Sequence, residues 1–356
     1  MKVKIIGIFL VNMLLISGLG AGIDTNVENP DISLTSFAND EEFLIGKPVD
    51  SVAKVPGYIE TYDNNGQKIH TCTYGRQVLY FTFPIYWEHL TCGYFSNHGM
   101  QDSERIIISY SWENTIFKTG RIYPYRIKGV SARPDSLIRI PWRPFDQLAC
   151  GDVDGDDIDE LIHVIDANNF LYIYKKFSHP ILILLPIIHY LLSYYSLKKI
   201  SLGIFEKGDE LACGDVDGDG KDEICIARTN GQLEIYKING YYTGFDVSFE
   251  ENDDLACGDV DGDGEDEILI ADVNEAEVRI YNQENQIEYS WPVNLDEYGG
   301  FDCGYVFGSI NEQFIVARYS DSHVLVFNGM TGDVIKAFPV DYKEGYLFSV
   351  GDVIRP

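Results

Sequence analysis

Asp215, Asp217 and Asp219 stand at alternate positions, and Glu223 follows four residues after the last of them. Carboxylates at loop positions one, three, five and nine can turn toward a common centre. A set of hard oxygen donors of this kind selects a hard cation, and calcium is the natural guest. The same spacing returns with Asp259, Asp261, Asp263 and Glu267, and occurs earlier with Asp152, Asp154, Asp156 and Glu160. The expected ligand sets are completed by the backbone carbonyl at position seven, which belongs to Ile158, Lys221 and Glu265 in the three loops. The first loop departs from the others at Asp157, which stands where they have Gly220 and Gly264, a position expected to need a positive φ. Position eight is Asp159, Asp222 or Asp266, expected to point outward or to support the ligands from behind.

An EF-hand loop closes with Glu at position twelve, where this chain has His163, Ile226 and Ile270. These loops are of another kind. The second and third run directly into Glu223–Ala227 and Glu267–Ala271, short apolar segments that read as strands. Gly-Asp-Val-Asp-Gly-Asp-Gly-x-Asp-Glu followed by an apolar strand resembles the FG-GAP repeats. These are the calcium-loop repeats of integrin α-subunit propellers and of related bacterial and archaeal surface proteins. The resemblance implies an all-β propeller whose loops bind calcium for structure, with two or three sites here. It does not imply one function, because similar repeats serve adhesion proteins, lectin-like modules and some polysaccharide lyases.

The strands that must position the loops recur with them. Gly93, Gly151, Gly214, Gly258, Gly304 and Gly351 mark successive repeat starts, 58, 63, 44, 46 and 47 residues apart, a period suited to one four-stranded blade. The copies at Gly93 and Gly304 keep the strands and lose the ligand aspartates. Six blades are expected, with seven the alternative. The last segment, Leu347–Ile354, reads as the strand preceding another loop, so circular closure against the N-terminal hairpin Tyr58–Thr71 is expected and would remove the open edges. Further strands are expected at Val78–Phe83 and Ser136–Ile140.

Cys150, Cys213 and Cys257 occupy the slot two residues before the first loop aspartate, and Cys92 and Cys303 occupy it in the degenerate copies. Equivalent slots in successive blades point the same way, so these cysteines are expected to be free, small apolar residues rather than disulfide partners. Cys72 and Cys225 lie outside that slot, and a bridge involving them stays open.

The formal charge of −29 is concentrated, with 17 of the 56 acids lying in the three loops. This acidity excludes nucleic acid as an expected partner. Lys2 and Lys4, the apolar run from Ile5 to Leu19 and the small residues Gly20-Ala21-Gly22 have the layout of a secretory signal peptide over residues 1–22. Residues 23–55 then read as a lead-in segment, with one strand at Glu42–Ile45, and 56–356 as the propeller, with an extracellular or cell-surface location. An apolar insertion at 179–197 lengthens the first intact repeat. Its core, Ile181–Leu192, is too short for a membrane helix and contains Pro186; it is expected either to contact a membrane or partner or to pack on its own blade.

No metalloprotease, nucleophile-elbow or phosphate-loop pattern occurs, so no catalytic residue is assigned. The expected function is a protein- or glycan-binding module, with Trp87, Trp112, Trp142 and Trp291 as candidate contact residues. The alternative is a polysaccharide-active, lyase-like enzyme on the same scaffold.

Overall fold

The computed structural model describes residues 42–47, 57–74, 85–93, 105–113, 118–128, 131–134, 146–165, 169–176, 194–307, 311–344 and 346–351. The expected signal segment, Val78–Phe83, Ser136–Ile140, Trp142 and most of the apolar insertion lie outside them, as do the side chains of Cys72, Trp87 and Trp112.

The described strands form six antiparallel four-stranded sheets. One contains β1 (Glu42–Lys47), β2 (Gly57–Tyr62) and β3 (Lys68–Tyr74), and another β4 (Ile85–Gly93), β5 (Arg105–Glu113), β6 (Lys118–Lys128) and β7 (Ser131–Pro134). The first complete Asp-rich loop belongs to β8 (Gln147–Gly151), β9 (Glu160–Ile165), β10 (Phe170–Lys176) and β11 (Tyr194–Ser201). The second belongs to β12 (Glu210–Gly214), β13 (Glu223–Ala227), β14 (Gln232–Lys237) and β15 (Gly240–Asp246). The third belongs to β16 (Asp254–Gly258), β17 (Glu267–Asp272), β18 (Glu277–Tyr281) and β19 (Ile287–Pro292). The sixth sheet is β20 (Gly300–Gly304), β21 (Gln313–Arg318), β22 (His323–Asn328) and β23 (Val334–Pro339).

The remaining strand, β24 (Leu347–Gly351), pairs antiparallel with β1, placing Val350 opposite Phe43. Thus β1, which falls inside the segment read as a lead-in, shares a sheet with both β2 and the far end of the chain. The innermost strands are neighbours in the circular order β4, β8, β12, β16, β20, β24 and again β4.

Burial explains the sequence pattern of each strand. The second strand of a sheet is covered on both faces, so β13 and β17 read as apolar runs behind a leading glutamate, and every residue in them is buried, β17's closing Asp272 included. The third strand alternates, and the outermost, such as β15 or β19, has only exposed and half-buried residues and carries polar residues and tyrosines. The core lies between adjacent sheets: Ala212, Cys225, Leu233 and Ile235 from one pack with Leu255, Ile268 and Ile270 from the next. Full burial of a residue such as Ile268 contributes roughly 1.5–3 kcal/mol, so these interfaces supply the main cohesive term.

Trp291 is directed into this packing. It is partly buried, its Nε1 donates to the Gly329 carbonyl at 2.8 Å, and its indole ring covers Gly332. Cys213, Cys225, Cys257 and Cys303 are free thiols, which closes the possibility of a bridge at Cys225. The innermost strands surround a cavity of about 360 Å³ into which Gln147, Glu210, Asp254 and Asp302 contribute polar groups.

Candidate metal centre

Each Asp-rich loop is a tight turn organised by its first aspartate. Asp215 accepts the backbone N–H of Asp219 at 2.9 Å through Oδ1 and that of Gly220 at 2.8 Å through Oδ2. Asp152 does the same for Gly155, Asp156 and Asp157, and Asp259 for Gly262, Asp263 and Gly264. The turn requires a left-handed residue at position six, where φ is +81° at Gly220, +93° at Gly264 and +62° at Asp157. Aspartate tolerates this conformation better than most side chains, so the first loop retains the shape of the other two.

The turn brings the carboxylates together. Oxygens of Asp152, Asp154 and Glu160 converge within 4.8 Å of one another, as do those of Asp215, Asp217 and Glu223. In the third loop Asp259, Asp261 and Asp263 form one such group, and Asp261, Glu267 and Glu288 another. The glutamates at position nine lead the second strands and are buried. Burial is the main reason that the Glu160 carboxyl is pushed up to about 8, Glu223 to about 7 and Glu267 to about 8, and neighbouring aspartates raise each further. Asp154 Oδ1, Glu160 Oε2, Asp217 Oδ1 and Glu223 Oε2 are buried without a hydrogen-bond partner. Orphaned carboxylate oxygens converging in this way fit a bound cation, which supplies the charge and ligation they lack.

Two of the loops already contain a cationic nitrogen that the sequence pattern did not assign to them. Lys175 Nζ lies 2.5 Å from Asp154, 2.8 Å from Asp156 and 3.0 Å from Glu160. Lys237 Nζ lies 2.5 Å from Asp217, 2.8 Å from Asp219 and 3.3 Å from Glu223. Both ammonium groups are held above the usual lysine range, since these carboxylates outweigh the cost of burial. The available signal was the recurring triplet Ile-Tyr-Lys at Ile173–Lys175 and Ile235–Lys237, which becomes Ile280-Tyr281-Asn282 in the third repeat.

At position eight the structure favours support of a ligand residue over an outward orientation, and the residue supported is that of the neighbouring loop. Asp222 and Asp266 point inward, toward the preceding blade, rather than outward. Asp222 Oδ2 accepts the N–H of Asp152 at 2.8 Å, and Asp266 Oδ2 accepts that of Asp215 at the same distance. Their own N–H groups donate to the Asp152 and Asp215 carbonyls at 3.1 and 2.9 Å. Glu312 N–H continues the pattern by donating to the Asp259 carbonyl at 2.9 Å. The glycine of each Cys-Gly-Asp is required by this approach: a Cβ on Gly151 would meet Asp222 Oδ2 at 2.5 Å, and one on Gly214 would meet Asp266 Oδ2 at 2.6 Å. Lys221 adds a further link, its Nζ donating to the Asp154 carbonyl at 3.1 Å.

Comparison with known proteins agrees with this architecture. A family model described as an FG-GAP-like repeat matches residues 215–270. No curated protein matches the chain. Among solved structures, a protein of unknown function from Bacteroides caccae aligns over 88% of this chain and 99% of its own, at 9% identity and a TM-score of 0.51. A lectin of Agrocybe aegerita, specific for non-reducing terminal N-acetylglucosamine, aligns over 88% of this chain and 96% of its own, at 11% identity and a TM-score of 0.49. Apo AztD from Citrobacter koseri aligns over 88% of this chain and 99% of its own, at 8% identity and a TM-score of 0.44. At such identities a likeness concerns the fold alone. Residues 215–270, from the second Asp-rich loop through the third and into β17, are an FG-GAP-like repeat set in a β-propeller.

Proposed function

We propose that this chain is an exported, calcium-stabilised propeller of six blades, closed by the pairing of β24 with β1, and that it serves as an interaction module for a protein or glycan. The observation that carries the calcium reading is the convergence of loop carboxylates in all three loops: Asp152, Asp154 and Glu160 in the first, Asp215, Asp217 and Glu223 in the second, and in the third Asp259, Asp261 and Asp263, with Asp261 also meeting Glu267 and Glu288. The ligands would be the aspartates at positions one, three and five and the glutamate at nine, with the carbonyls of Ile158, Lys221 and Glu265 as further donors. A bound ion would offset carboxylate repulsion and tie each innermost strand to its neighbour.

The loops sit where each innermost strand ends, so the segments leading into those strands belong to the opposite face. That face carries Ile204, 73% exposed, and Tyr298, 52% exposed, beside the Lys207–Glu251 ion pair. An apolar and aromatic surface with adjacent charges suits recognition of protein or carbohydrate. On this reading one face gives rigidity and the other binds.

Thermal unfolding of the metal-free chain, with and without millimolar calcium, tests the first half. A large upward shift is expected, and the absence of one removes the calcium reading. The second half is tested by a panel of soluble glycans and purified surface proteins, with Ile204→Ser/Tyr298→Ala as the control. Binding that the double variant loses supports the module, whereas cleavage of a polysaccharide on incubation replaces it with the enzyme reading. Export is tested by N-terminal sequencing of secreted material, expected to begin after Ala21 or Gly22.

A further inference from the structure

The three loops are alike in ligand spacing but differ in the residues that strand pairing places beside them. Leu161 pairs with Tyr174, Ile224 with Tyr236 and Ile268 with Tyr281. The glutamate one residue earlier in each case is therefore set beside Lys175, Lys237 or Asn282. The outermost strands add a second difference. Each has a one-residue bulge at the same place, and the extra residue is Leu197 in the first blade, Tyr242 in the second and Glu288 in the third. A bulge re-aims the side chain it carries. Leu197 packs on the apolar core, and the Tyr242 ring centre lies 4.9 Å from Lys237 Nζ. Glu288 instead brings a carboxylate to Asp261 and Glu267, and Asn282 Nδ2 donates to it at 3.2 Å.

We propose that Lys175 and Lys237 are resident cations that hold the first two loops closed without a metal. A divalent ion is then taken by the third loop, where Glu288 joins Asp259, Asp261, Asp263 and Glu267 and Asn282 replaces the lysine. This rests on the calcium reading above and narrows it to one loop. In the first two loops an ammonium already stands among the carboxylates, 3.0 Å from Glu160 and 3.3 Å from Glu223, and each of these buried glutamates keeps only its Oε2 without a hydrogen-bond partner; in the third loop Asp259, Asp261, Asp263, Glu267 and Glu288 converge instead, as two carboxylate groups that share Asp261. A dication entering either of those loops must first expel the lysine, which then loses three close carboxylates. Among the described residues no lysine reaches the third loop, and a fifth carboxylate raises the negative charge that sets calcium affinity.

Calorimetric titration of calcium into the metal-free, full-length chain reads the stoichiometry directly. One ion is expected for the wild type, two for Lys237→Met and three for Lys175→Met/Lys237→Met. Glu288→Gln is expected to weaken the wild-type site by on the order of tenfold or more. Asn282→Lys is expected to abolish binding while the chain stays folded in EDTA, an arm that does not depend on the stability of the lysine-deletion variants. Two or three ions of similar affinity in the wild type overturn the proposal and leave the calcium reading standing. A stoichiometry of one in lysine variants shown to be folded by circular dichroism overturns it as well. No binding by any variant removes both.

Discussion

The Asp222 carboxylate accepts the backbone N–H of Asp152 at 2.8 Å, so the second Asp-rich loop holds the first. Asp266 repeats the contact on Asp215, and a run of blades is thereby clamped along the rim that carries the loops. An acid at position eight therefore acts on the neighbouring blade.

Asp222→Ala leaves the Asp152 N–H without its partner and should cost about 1–3 kcal/mol. Gly214→Ala should be at least as costly, because the new methyl group collides with Asp266 and Cys257. Urea unfolding at saturating calcium reads both, and wild-type midpoints in both variants would show that the clamp contributes nothing.

Asp261 touches both carboxylate groups of the third loop, whereas Asp217 shares its loop with Lys237. Asp261→Ala should therefore abolish the rise in Tm on adding calcium, and Asp217→Ala should lower Tm while leaving that rise intact. Differential scanning fluorimetry in EDTA and in calcium separates the two, and a calcium increment that survives in Asp261→Ala contradicts the assignment.

Asp254 lines the central cavity, and burial pushes its carboxyl up to about 7, with the charges of Asp253 and Asp302 adding to the effect. The unfolded value is roughly 3.9, so between about pH 4 and 7 the native state binds more protons than the unfolded one, and this group's contribution to stability falls as pH rises. Asp254→Asn should accordingly raise Tm at about pH 8, and the gain should vanish near pH 4. Equal shifts at both pH values, measured with calcium present throughout, would falsify the assignment.

Arg228 is buried against Asp209 and Glu234, at 3.2 and 2.5 Å. Arg228→Ala strands the Asp209 carboxylate in the interior and should cost on the order of 3–5 kcal/mol. Guanidinium unfolding measures it, and a loss below the value typical of a surface substitution would mean that Asp209 is held sufficiently by the backbone N–H groups of Glu206 and Thr229 and by the Thr229 hydroxyl.

What could be read in the chain without its structure was local. The aspartates at alternate positions, the left-handed residue at position six, the apolar second strands and the Cys-Gly-Asp slot all act within a few residues, where spacing dictates geometry. The requirement for a positive φ at Asp157 belongs to this class, as does the placement of Cys213 and Cys257 as free thiols. The tertiary structure decided whatever depends on register or on the next blade. Glu160 meets Lys175 only because Leu161 pairs with Tyr174. Glu288 reaches the third loop only because a bulge turns it there. Asp222 reaches Asp152, 70 residues away in sequence, only because neighbouring sheets stack rim to rim. Spacing along a chain specifies which groups can converge within one turn, but which groups from other strands complete the centre follows from how sheets pair and pack.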